Sequence, residues 1–307
     1  MSTNHPYIIV LVTFPDLPAR KLWGQLWKVL EEYTRSVLPN PEETIAWWDG
    51  ETSSIDFIGA KEVPTPEELG SLMEKVFLRA KKEFSMMGLD LCKVGKYFTD
   101  AMHIIRFPPD SRWQYYVELY LHNLKELLVE KLWHEKKEET QALKEGRTVC
   151  DELMAIAKRL FLELPCDFGF GIHADLRERM IYLLCEEKAF KFIPTIDWAA
   201  GADEEVGKEK IPRLRSLFGT SDRLLIEGQI WEWTGQFPWS TGCPPIWFVL
   251  LSKERYEASK PYLPALPIEA AERFPGLKGY RLQHIEELPN GSALLFFDYP
   301  FPFAHGD

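Results

Sequence analysis

Hydrophobic positions along the chain change period from segment to segment. Residues 7–14 (YIIVLVTF) form an unbroken apolar, β-branched run, which predicts a strand buried on both faces. Trp23, Leu26, Trp27, Leu30, Tyr33 and Val37 then recur at helical spacing and predict an amphipathic helix over 19–38, ended by Pro39 and Pro41. Residues 45–48 and 55–58 read as short strands. Asp49-Gly50 between them is a hairpin signal, weakened by the extra residues 51–54.

Thr65-Pro66-Glu67-Glu68 is the strongest local signal. It reads as an N-cap, a proline at the first helical position and the glutamate of a capping box. Leu69, Leu72, Met73, Val76, Phe77, Ala80 and Phe84 continue it as one apolar stripe, and Gly88 suits the left-handed residue beyond the last turn. Apolar runs at 94–98 and 104–107 follow. Strand, helix, strand, strand, helix, strand is the order of the split βαβ, or ferredoxin-like, arrangement. The first part is therefore expected to be α+β, with two helices on one face of an antiparallel sheet.

Residues 113–121 alternate like a strand and are expected to give way to a helix from about Leu121. Residues 133–146 are polar almost all round, as in a solvated helix or connector. Residues 151–164 predict a helix with Leu153, Ile156, Ala157, Leu160 and Phe161 inward, stopped by Pro165. Beyond it the pattern turns β-rich. Strands are expected at 168–174, 180–184, 190–193, 224–233, 246–251, 279–286 and 293–299, with Asn290-Gly291 turning the last pair. Short helices are expected at 204–218 and 268–274. The resulting division is a ferredoxin-like domain over 1–120, a helical connector over 121–165 and a second α+β domain over 166–307.

Composition narrows the class. The chain has 307 residues, 46% hydrophobic and 27% charged, which suits an ordinary globular protein. Asp and Glu number 47 against 36 Lys and Arg, a formal charge of −11, which argues against nucleic acid as a partner. Five cysteines with no C-x-x-C spacing point away from zinc ribbons and thioredoxin-type chemistry and toward a reducing compartment. No apolar run reaches the roughly 18 residues of a membrane span. The expectation is a soluble, cytoplasmic protein with no membrane partner and no cofactor.

Two stretches could carry chemistry. In 166–175 (CDFGFGIHAD), Phe168, Phe170 and Ile172 would face a core. Asp167, Gly169, Gly171, His173 and Asp175 would face the other way. His173 and Asp175 could then share a metal or form a base with its orienting carboxylate, although a third ligand is not evident. In 228–247, four of the eleven tryptophans fall within twenty residues. Arg223, Glu227, Gln229, Trp231 and Trp233 would share one strand face, polar at one end and aromatic at the other. Trp239 and Trp247 could extend that face into a platform for a partner's side chain or a ring-shaped ligand. Tyr115, Tyr116 and Tyr120 beside Arg112 form a lesser stacking candidate, and Cys243 has no local base to activate it. Phosphate-loop, dinucleotide, zincin and nucleophile-elbow motifs are missing from the chain. The expectation is non-catalytic recognition of a macromolecular partner or a ligand, a more basic protein being the concrete version, through an aromatic and acidic surface. The alternative is a hydrolase or transferase, with or without a metal, built on His173 and Asp175.

Overall fold

The computed structural model describes residues 7–14, 16–48, 51–54, 64–79, 85–93, 101–107, 113–120, 139–173, 246–260, 282–297 and 299. The chain divides into two compact units, 1–171 and 172–307. The expected strands at 55–58, 94–98, 180–184, 190–193 and 224–233, and the expected helices at 204–218 and 268–274, lie outside the described residues.

The first unit is α+β, built on a large sheet. Its strands are β1 (Tyr7–Thr13), β2 (Thr34–Trp48), β3 (Glu51–Ser54), β4 (Ser85–Lys93), β5 (Ala101–Arg106), β6 (Tyr115–Tyr120) and β7 (Cys166–His173). Their order is β3-β2-β4-β5-β6-β1-β7, and every pairing from β3 to β1 is antiparallel. The helices are α1 (Ala19–Leu30), α2 (Pro66–Arg79) and α3 (Glu139–Glu163). α1 packs between α2 and α3, so the helix at the end of the expected connector lies against the first helix of the chain.

The split βαβ order expected for the first part is not the order adopted. A strand has two edges, and those of β1 are taken by β6 and β7. No edge remains for the strands next to the two helices. The first helix is also shorter than its periodicity suggests. It stops at Leu30, and after a turn closed by Tyr33 N–H donating to Leu30 O the chain enters β2. Residues before proline disfavour the α region, which biases Leu38 and Asn40 toward extended backbone. Pairing with β4 then overrides the helical spacing of Tyr33 and Val37. Pro39 lies opposite Leu89 of β4, outside the stretch Ile45 to Trp48 that pairs with β3. The ladder to β4 also shifts register between Asn40 and Ile45, across Pro41.

Other local signals hold. The register Trp48↔Glu51 makes Glu51–Ser54, expected as extra residues before a strand at 55–58, the strand that pairs with the end of β2. At the start of α2, Glu68 N–H donates to Thr65 Oγ1 (3.2 Å) and Thr65 N–H donates to Glu68 Oε2 (2.8 Å), the reciprocal bonds of a capping box. Gly88, however, sits inside β4 opposite His103 and caps no helix.

Registers sort the residues of β4, β5, β6 and β1 onto two faces. Met87, Leu89, Met102, Ile104, Val117, Leu119, Ile9 and Leu11 share one face and are all buried. α2 meets this face, where Phe77 lies 5.5 Å from the Tyr115 ring. Val10, Val12, Ile105 and Tyr116 on the opposite face are buried too. The β1 run is therefore apolar throughout because neither side meets water.

In the second unit, β8 (Ile246–Leu251), β10 (Ala293–Phe296) and β9 (His284–Glu287) form an antiparallel array in that order. Gly291 takes φ +82° in the turn between β9 and β10, a conformation glycine adopts without penalty. A short helix, α4 (Lys253–Ser259), follows β8. Its N-cap Ser252 accepts from Arg255 N–H at 3.4 Å, a local serine signal that hydrophobic periodicity does not carry.

Candidate functional site

On the sheet face away from α2, one cross-strand row reads Gly88, His103, Glu118, Val10. His103 and Glu118 are directly opposed on β5 and β6, which brings their side chains together. His103 Nδ1 lies 2.8 Å from Glu118 Oε1. The imidazole is 9% exposed and the carboxylate 0%. A carboxylate stripped of water is costly to bury alone, and a facing imidazole within hydrogen-bond reach offsets that cost. Gly88 adds no side chain on the other flank of His103, and Asp90, two residues along β4, shares the face and is half-buried. Tyr116 stands two residues from Glu118 and meets Phe107 edge-on at 6.5 Å.

An imidazole held by a carboxylate is the arrangement of an oriented base. Here both members are sealed inside the protein, so the pair acts as a polar pin in the sheet. A slip of one residue in the β5–β6 register would turn Glu118 to the opposite, apolar face, so the pair specifies the register it sits in.

A second buried polar contact closes one end of the sheet. Trp113 Nε1 donates to Asp167 Oδ2 at 2.8 Å, and the indole stands edge-on to Phe168 at 5.5 Å. Gln114 N–H donates to Thr13 O, Tyr115 N–H to Thr13 Oγ1 and Phe14 N–H to Pro165 O, tying the ends of β1, β6 and β7 together. Asp16, just beyond, adopts φ +70°, a left-handed conformation that Asp tolerates better than most residues.

Several sequence candidates are relocated by this geometry. Phe168 and Phe170 are buried and stacked 5.9 Å apart, as their alternation implies. The other face of β7 is closed at Asp167, Gly169 and Gly171, all of them buried. His173 is the last residue of β7, but its side chain and the whole of Asp175 lie outside the described residues. Among the described residues no group of three or more His, Cys, Asp or Glu could hold a metal ion. Arg223, Glu227, Gln229, Trp231, Trp233 and Trp239 also lie outside the described residues. Trp247 does not extend an exposed platform. It is fully buried on β8, edge-on to Phe248 at 5.0 Å, with no hydrogen-bond partner at Nε1. Tyr115 and Tyr116 are buried as well and present no stacking surface.

The described thiols are suppressed as nucleophiles. Burial, then the neighbouring Asp151 charge, pushes Cys150 well above the usual thiol range. Burial and Asp167 do the same to Cys166. Burial also pushes the Tyr115 phenol up to about 12, so it stays neutral.

Sequence reasoning does not single out the His103–Glu118 pair, because its members lie 15 residues apart and meet only through strand pairing. The available signal was Glu118 itself, a lone acidic residue inside YYVELY.

No family model matches the chain, and no curated protein matches it significantly. One solved structure with some likeness is a T6SS protein of Pseudomonas aeruginosa. It is 10% identical, with a TM-score of 0.39, over 98% of this chain and 67% of that one. That score is too low to carry a shared fold or role.

Proposed function

We propose that this protein is a non-catalytic recognition protein that docks a more basic protein partner through an acidic, aromatic surface. The observation that carries the reading is the charge surplus, 47 acidic against 36 basic side chains. Ion pairing cancels charges one for one and leaves that surplus intact. Ionised side chains are seldom fully buried, so the surplus lies on the exterior. Arg20 and Lys28 on α1 are engaged by Glu74 of α2 and Glu163 of α3, and Arg159 of α3 by Glu32 in the turn after α1. Glu31, Glu67, Asp151 and Glu152 are exposed on the same layer. His103–Glu118 and the thiols of Cys150 and Cys166 are held in the interior. Two free, buried thiols suit a reducing, cytoplasmic setting. The aromatic part of the surface is assigned to Trp231 and Trp233.

The test is capture by the immobilised full chain from cell lysate at low salt, followed by titration of each purified captured protein. The expected result is a basic partner whose affinity falls steeply with salt and drops in Trp231→Ala and Trp233→Ala variants that melt normally. A partner of acidic character overturns the reading. So does loss of cooperative melting in both variants, which would place those indoles in the core.

A further inference from the structure

We draw no further inference here: the strongest candidate, the buried His103–Glu118 pair at the centre of the sheet face away from α2, belongs to the site already described, and nothing in the structure shows what covers it.

Discussion

Replacing His103 by leucine removes the imidazole that stands 2.8 Å from Glu118 Oε1. The carboxylate left behind is 0% exposed, so water cannot take the imidazole's place. Breaking such a buried pair from one side costs up to about 3–5 kcal/mol, because a buried group loses its facing partner where water cannot replace it. Glu118→Leu instead removes the carboxyl group that faces the imidazole and falls in the same range. Removing both partners leaves neither group stranded by the other's loss. The double variant is therefore expected to cost less than the sum of the single variants, by a coupling of about 2 kcal/mol. Arg159 and Glu32 supply the contrast. Their side chains are 41% and 55% exposed, and solvent screens the pair, so its coupling is expected to be far smaller. The assay is urea unfolding of the wild-type chain, both single variants and the double variant under identical conditions, with m-values compared. Hydrogen exchange at the β5 and β6 amides reads the unit that holds the pair, even where the two units unfold separately. A His103–Glu118 coupling below about 0.5 kcal/mol would refute the pin, because the two side chains would then be contributing independently.

Tyr115 makes stability depend on alkaline pH. Its phenol is pushed up to about 12 in the fold against an ordinary value near 10, so the unfolded chain releases the proton first. Stability from this group is complete below about pH 10 and declines by about 2–3 kcal/mol as pH rises toward 12, a decline that Tyr115→Phe should abolish in urea titrations. Cys150 and Cys166 should resist alkylation in the native protein and react only on unfolding, as peptide mapping after a timed iodoacetamide pulse would show; native labelling at wild-type stability would contradict their burial. Gly24 has nothing within 4 Å of an added Cβ, so Gly24→Ala should stabilise α1 by about 0.5–1 kcal/mol. An added Cβ at Gly70 would lie 3.3 Å from Trp23 Cδ1, so Gly70→Ala should lose most of that gain; equal gains in urea midpoints would mean that α1 and α2 are not in tight contact there.

Legibility depended on how far along the chain each signal reaches. The capping box of Thr65 and Glu68, the Asn290-Gly291 turn and the inward stripe of α3 were readable because their causes lie within a few residues. The second half of the helix predicted over 19–38 is not legible in the sequence, because Tyr33 and Val37 fit a helical period by spacing alone. Its actual state depends on β4, more than fifty residues away. Of the candidate site, the aromatic core of β7 was legible from alternation. The closure of its polar face was not, since that requires Trp113 to arrive at Asp167 from the start of β6.

By itself, the order of residues determined an acidic α+β chain, the apolar run of β1, and the caps and turns that start or reverse its elements. Tertiary structure alone decided the neighbours of β1, the extended state of 34–48, and the meeting of His103 with Glu118. Capping, turn chemistry and periodicity act through bonds and contacts over one or two turns. Strand order is settled by competition for a limited number of backbone edges, and burial by what lands on top, and both involve partners distant in sequence.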